Sequence, residues 1–136
     1  LHLVIVAAQF GLSTPNVFKQ LDVGRVAGEY PASAELVQPV ELLKTLNSYD
    51  GSEAALASLA PLLRNDLQAP ALSCAPQLEQ TLNLRDSEGV YASLVSGSGP
   101  TVLLLASSQI RAEALAASLR ATGHHAVSAV TVILYH

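Results

Sequence analysis

The sequence predicts an α+β domain, and two observations support this class. Apolar runs typical of strands occur at both ends of the chain and as a pair in its second half, whereas the stretches between them show helical spacing. The predicted order is therefore strand, helices, strand, strand, helix, strand. With the middle helices taken as an insertion, this order matches a ferredoxin-like split βαβ sandwich with an antiparallel sheet. At 136 residues, half of them apolar, the chain 1–136 fits one packed domain.

The first element is a strand over 1–8, whose near-continuous apolar run fits burial on both faces. After a turn at 9–13, Thr14 is predicted to cap a short helix, with Pro15 at its first position. One face of this helix would carry Val17, Phe18 and Leu21. The stretch 22–34 contains Gly24, Gly28 and Pro31 and has no usable period, so it is predicted to be a loop.

Three prolines divide the middle of the chain into helices. Pro39 opens a helix that ends near 47–51, with one face formed by Val40, Leu43 and Leu46. A second helix starts at Ser52 and is broken or kinked at Pro61. Pro76 starts one more, in which Leu78 and Leu82 are four residues apart.

The period then changes to that of strands. Strands are predicted over 90–95 and 102–106, followed by a helix that Ser108 caps and that Gly123 ends as its C′ residue. Leu115 and Leu119 would face the core. The last predicted element is a long strand over 125–134, which is rich in Val and Ile.

Composition excludes several classes of function. A net charge of −4 with seven scattered basic residues does not fit a nucleic-acid-binding protein. The lone Cys74 excludes an intramolecular disulfide and a zinc cluster, and we expect it in the core. No apolar run approaches the ~18 residues of a membrane span. Because methionine is absent and residue 1 already begins a strand, we expect a piece of a longer protein.

The most informative segment is Ser96-Gly-Ser-Gly-Pro-Thr101, which joins the two central strands. Six small residues exceed what a hairpin turn needs. One interpretation is a loose surface turn. The other is a loop that faces a phosphate, with an anion-binding concavity formed by the N–H groups of Gly97, Ser98 and Gly99 and with hydroxyls from Ser98 and Thr101.

No general base stands out among the carboxylates. Asp22, Asp50 and Asp86 are expected to be solvated or to form turns, and Asp66 is expected to stabilise a helix start rather than to act in catalysis.

The histidines do not predict a metal site. His124 and His125 are adjacent in a predicted strand and would point to opposite faces, so they do not easily share an ion. His2 and His136 are terminal and are expected to be solvated.

Three segments in the same order resemble the C-terminal domain of the GHMP kinases, the galactose, homoserine, mevalonate and phosphomevalonate kinase family. They are Gly11-Leu-Ser-Thr-Pro-Asn-Val-Phe18, Asn65-Asp-Leu-Gln68 and Ser96-Gly-Ser-Gly-Pro-Thr101, and they span almost the whole chain. The stretch 22–39 and the tail 132–136 match no part of the family pattern that we can place.

The resemblance implies that this chain forms one wall of the cleft in which a cytoplasmic, ATP-dependent kinase binds ATP and its substrate. ATP and Mg²⁺ would serve the full-length protein, whose nucleotide-binding loop and catalytic residues belong to an N-terminal domain absent from this chain. We therefore expect no catalytic residue here and no activity from the chain alone. The exposed cleft face should favour a homodimer or capture of a partner.

The resemblance also implies site residues. Thr14 and Phe18 would line the substrate pocket, although core packing is the competing interpretation of Phe18. Ser96, Gly97, Ser98, Gly99 and Thr101 would pack against the phosphate-binding loop of the missing domain, with or without direct phosphate contact. The implied substrate is a sugar alcohol carried on a cytidine diphosphate. The alternatives are another substrate of the same family, such as homoserine or mevalonate, or a non-catalytic ferredoxin-like binding module.

Overall fold

A computed structural model describes residues 1–31, 39–124 and 126–135. Its four strands are β1 (His2–Val6), β2 (Val90–Val95), β3 (Val102–Ala106) and β4 (Val127–Thr131). They form an antiparallel sheet in the order β2-β3-β1-β4. Strands β1 and β2 flank β3, which is the split βαβ order of a ferredoxin-like sheet. The predicted fold class is therefore confirmed.

The helices fill the connections that the sequence pattern assigns to them. They are α1 (Thr14–Val26), α2 (Val40–Asn47), α3 (Glu53–Leu59), α4 (Gln68–Cys74), α5 (Leu78–Leu82) and α6 (Gln109–Ala121). Short 3₁₀ turns cover Ala60–Leu62 and Asn83–Asp86. The predicted cap at Ser108 is confirmed, because its hydroxyl accepts a hydrogen bond from the backbone N–H three residues later at 3.1 Å. Ser52, where the second helix was predicted to start, caps α3 in the same way, also at 3.1 Å.

The core lies on both faces of the sheet because side chains alternate along each strand. Val4 and Val6 of β1 point into the larger cluster, which α1, α4, α5 and α6 cover. On the other face, Leu105 packs with Leu56 and Leu59 of α3 in a smaller cluster. Leu1 and Leu3 are partly buried there, so the predicted burial of the first strand on both faces is complete at Val4 and Val6 and only partial on the opposite face.

Helix α1 is longer than the sequence indicates. The predicted loop from residue 22 is wrong up to Val26, because the helix continues through Gly24. A Cβ at Gly24 would overlap the ring of Tyr30, so the glycine here permits close packing and does not break the helix. Residues 32–34 of the predicted loop lie outside the described residues.

The apolar face predicted for α2 is only partly buried. Leu46 packs with the smaller cluster, together with Leu42, which the pattern did not single out. Val40 and Leu43 are about half exposed. The helix therefore packs through the face that carries Leu42 and Leu46. Most of the predicted face, with Val40 and Leu43, is exposed to solvent.

Three smaller predictions are corrected. Ser13 caps α1, accepting a hydrogen bond from the N–H of Asn16 at 3.4 Å, so Thr14 is the first helical residue and not the cap. Cys74 ends α4 on its outer side and is exposed, not in the core. The last strand spans only Val127–Thr131, and position 125 lies outside the described residues.

Candidate substrate-binding site

The loop between β2 and β3 is held in a compact shape by its own backbone. The N–H of Ser96 donates to the carbonyl of Thr101 at 2.8 Å, and the N–H of Gly99 donates to the carbonyl of Ser96 at 2.9 Å. Gly97 and Gly99 have φ of +56° and +82°, which favour glycine. The predicted anion concavity is thus smaller than expected, since the Gly99 amide is already bonded. Those of Gly97 and Ser98 donate to no group in the described chain.

The underside of this loop packs against the segment that precedes α1. A Cβ at Gly99 would lie 3.3 Å from Cδ2 of Leu12 and 3.2 Å from Cγ1 of Val95. A Cβ at Gly97, in contrast, would meet nothing within 4 Å. One glycine therefore allows close packing, and the other lies on the open side of the loop.

Thr14 joins α1 to the loop directly. Because Ser13 provides the cap, the Thr14 hydroxyl is free to bond elsewhere, and it shares a hydrogen bond of 2.8 Å with the hydroxyl of Ser98. These residues are 84 positions apart in the chain. The structure thus brings together two of the sequence-predicted site segments.

Phe18 lies one helical turn after Thr14 on the exposed side of α1. Its side chain is 49% exposed, whereas Val17 and Leu21 are buried. Residues four apart share a helix face, so Phe18 and Thr14 border the same surface. The core-packing interpretation of Phe18 does not hold. Its role in substrate binding stays a prediction.

Asn65 ties the loop to the start of α4, a contact that the sequence reasoning missed. Its Nδ2 donates to the carbonyls of Val95 at 2.8 Å and of Gly97 at 2.7 Å, while its Oδ1 accepts from the N–H of Leu67 at 3.1 Å. Gln68 adds a bond, accepting from the N–H of Val95 at 3.0 Å. The only trace of this in the sequence is an Asn-Asp pair before a helix, which does not identify a partner 30 residues away.

Asp66 does not stabilise the start of α4 as predicted. The helix begins after Leu67 without a side-chain cap, and the Asp66 carboxylate pairs instead with Arg64 at 2.8 Å and Arg25 at 3.8 Å. These partly exposed ion pairs contribute little to stability. The carboxylate is thus engaged by cations and makes no capping hydrogen bond to α4.

The remaining carboxylates do not join this site. Asp50 accepts a hydrogen bond from the N–H of Ser52 at 2.9 Å, as expected for a turn residue. Hydrogen bonds from Ser52 hold the pKa of Asp50 below its usual value. Asp22 is exposed on α1 and Asp86 ends a 3₁₀ turn.

Metal-ligating side chains are not clustered in the parts of the chain that the structure describes, since no three His, Cys, Asp or Glu residues come together there. The predicted pair His124–His125 is described only at His124. Among the described helices, none is long and apolar enough to cross a membrane.

Comparison with known families gives a match over most of the chain. Residues 41–125 match the family model described as GHMP kinases C terminal. The match includes the Asn65–Gln68 segment and the loop Ser96–Thr101.

Curated relatives match over a still longer stretch. The chain is 42% identical over 131 residues to the 4-diphosphocytidyl-2-C-methyl-D-erythritol kinase of Pseudarthrobacter chlorophenolicus, covering 96% of this chain and 38% of that protein. It is 46% identical over 122 residues to the enzyme of the same name from Nocardia farcinica, covering 90% of this chain and 37% of the relative. The chain thus spans well under half the length of these relatives.

A solved structure shows the same fold. A crystal structure of 4-(cytidine 5'-diphospho)-2C-methyl-D-erythritol kinase superposes with a TM-score of 0.68 at 23% identity, covering 95% of this chain and 41% of that one.

Proposed function

Because the chain belongs to the GHMP kinase family and matches its C-terminal domain, we propose that it forms the C-terminal part of a 4-diphosphocytidyl-2-C-methyl-D-erythritol kinase. The longer protein would transfer the terminal phosphoryl group of ATP to the 2-hydroxyl of the methylerythritol moiety, a step of non-mevalonate isoprenoid biosynthesis. Identity of 42–46% to relatives of this name supports the choice of substrate.

One observation of the structure carries the proposal. Three segments far apart in sequence converge on one exposed surface, where Thr14 bonds Ser98 and Asn65 bonds the loop backbone at Gly97. Phosphoryl transfer requires positioning and charge stabilisation more than covalent chemistry from the protein. A surface of fixed hydroxyls, backbone N–H groups and one aromatic side chain is suited to positioning a substrate for this transfer.

In this proposal Phe18 contacts the apolar part of the sugar alcohol and Thr14 contacts its hydroxyls. The loop Ser96–Thr101 lies on the phosphate side, where the N–H groups of Gly97 and Ser98 are directed to an anion or to the phosphate-binding loop of the N-terminal domain. Such N–H groups stabilise negative charge without having to reorganise.

The general base, the nucleotide loop and the Mg²⁺ ligands would belong to the remainder of the protein. The described residues of this chain do not fit a metal site, because they hold no cluster of three ligating side chains. ATP and Mg²⁺ are therefore assigned to the missing N-terminal kinase domain and to the cleft that it would form with this chain.

The decisive experiment is an ADP-release assay with ATP, Mg²⁺ and a panel of alcohols. The full-length protein is expected to release ADP with the diphosphocytidyl methylerythritol substrate and not with homoserine or mevalonate. The 136-residue chain alone is expected to release none above background. Turnover by the chain alone, or a preference for homoserine or mevalonate, would contradict the proposal.

Without its partner domain the chain is also proposed to self-associate. Large apolar side chains are exposed at Phe18, Val40, Leu43, Ile133 and Tyr135. Exposed apolar surface favours association. Sedimentation of the chain at rising concentration should show dimers, and a monomer throughout would refute this point.

A further inference from the structure

Asn65 uses all of its hydrogen-bonding groups at the loop between β2 and β3. Two N–H donors reach the carbonyls of Val95 and Gly97, and the side-chain carbonyl accepts from Leu67. The amide thus bridges the last residue of a strand, the first glycine of the loop and the start of α4. The two bonds to the loop side cross 30 and 32 positions of sequence.

Gly97 has few other restraints. Nothing lies within 4 Å of the place where its Cβ would be, so packing does not fix its conformation. A glycine at φ of +56° has access to other backbone conformations at little cost. The turn is closed around this peptide by the Gly99 N–H to Ser96 carbonyl bond, and the bond from Asn65 is the contact that reaches the Gly97 carbonyl itself in the described chain.

Holding the carbonyl of Gly97 also orients the N–H of Ser98. The two groups belong to one peptide plane and point in opposite directions when the bond is trans. With the carbonyl directed to Asn65, the Ser98 N–H is directed away from it. That N–H has no acceptor in the described chain, and the Ser98 hydroxyl beside it is bonded to Thr14 at 2.8 Å.

We propose that Asn65 is a positioning residue for phosphoryl transfer, acting through the Gly97 carbonyl to aim the N–H of Ser98 at a phosphate oxygen. This inference rests on the proposed function. The competing interpretation is that Asn65 only stabilises the start of α4, through its bond to the N–H of Leu67.

Asn65→Asp separates these two roles in the full-length protein. A carboxylate keeps the acceptor for the Leu67 N–H but removes both donors to Val95 and Gly97. Asn83→Asp makes the same chemical change at an exposed position that has no side-chain hydrogen bond in the described chain, and serves as the matched control. The two readouts are steady-state kinetics and amide hydrogen exchange of the 96–101 peptide.

Asn65→Asp is expected to lower kcat about tenfold or more while changing KM for both substrates much less, because an oriented donor acts mainly in the transition state. Amide exchange in the loop should accelerate about tenfold or more, because two hydrogen bonds of modest net strength are lost. Exchange in β3 and α6 should not change. Asn83→Asp should alter none of these quantities.

Several outcomes would overturn the inference. Unchanged loop exchange would show that Asn65 does not hold the loop, and faster exchange throughout β3 and α6 would reduce its role to general stability. Faster loop exchange with an intact kcat would show that the loop geometry does not matter to the reaction.

If Asn65→Asp does not fold, Asn65→Ser decides the question, because its shorter side chain removes the donors at Nδ2 without placing a negative charge beside the loop carbonyls. It should give a smaller but measurable fall in kcat, and a kcat equal to that of the unsubstituted protein would refute the role. If the unsubstituted full-length protein shows no kinase activity, the proposed function fails, whereas loop exchange still tests whether Asn65 holds Gly97.

Discussion

Gly99→Ala is the substitution whose cost the structure defines most closely. Gly99 has a φ of +82°, and an added Cβ would lie 3.2 Å from Val95 Cγ1 and 3.3 Å from Leu12 Cδ2. Gly51, in the turn between α2 and α3, has the same φ of +82° with nothing within 4 Å. The two alanine variants therefore share the backbone strain and differ in packing.

The expected magnitudes follow from these two contributions. An L-residue in the left-handed region costs about 1–2 kcal/mol, which is the whole expected loss for Gly51→Ala. Displacing close neighbours in a packed region adds about 1–3 kcal/mol. We therefore expect Gly99→Ala to lower the free energy of unfolding by about 2–5 kcal/mol, the sum of both effects.

Urea unfolding of the two variants and the unsubstituted chain measures this difference, provided that the slope with denaturant stays the same. Equal losses for Gly99→Ala and Gly51→Ala would refute the close packing of the loop on Leu12. In the full-length protein, kcat/KM should fall for Gly99→Ala and stay unchanged for Gly51→Ala.

Three further predictions concern the site and the pH response. Phe18→Ala should raise KM for the sugar-alcohol substrate and leave KM for ATP unchanged, with a stability loss below the ~3–5 kcal/mol of a buried phenylalanine because the ring is half exposed; a large stability loss with an unchanged substrate KM would show that Phe18 serves packing and not substrate binding. Gly97→Val should abolish most activity in the full-length protein with modest loss of stability, since its surroundings are open, and full activity would make the loop a plain turn. Asp50→Asn should be less stable than the unsubstituted chain at neutral pH, and urea unfolding should show the difference in stability shrinking as the pH falls through the ordinary aspartate pKa of about 3.9 and below it, because a carboxyl with a lowered folded-state pKa loses its contribution as it is protonated; a difference independent of pH would contradict this assignment.

Local patterns predicted most of the fold. The strands predicted over 90–95 and 102–106, the cap at Ser108 and the C′ glycine Gly123 are all confirmed, because each depends on residues close together in the sequence. The predicted end of the first helix was wrong because Gly24 was interpreted as a loop residue, whereas it leaves space within the helix for the ring of Tyr30. That contact depends on tertiary packing, which composition does not reveal.

The candidate site was predicted in part. The motifs at Thr14 and at 96–101 were recognised separately, and the structure joins them through Ser98. The bonds of Asn65 could not be inferred, because a polar residue before a helix has an equally good local role as a turn or cap residue. Ser13 and Thr14 show the same ambiguity, as either hydroxyl suits a cap.

The smaller apolar cluster has a consequence for the order in which the chain opens. Helices α2 and α3 are attached to the sheet mainly through Leu56, Leu59 and Leu105, whereas the larger cluster holds the remaining described helices. Stability is distributed unevenly in such a molecule, and elements with few buried contacts open first. The α2–α3 pair should therefore form a separate low-energy unfolding unit, cleaved early in limited proteolysis while α1 and the loop Ser96–Thr101 remain folded.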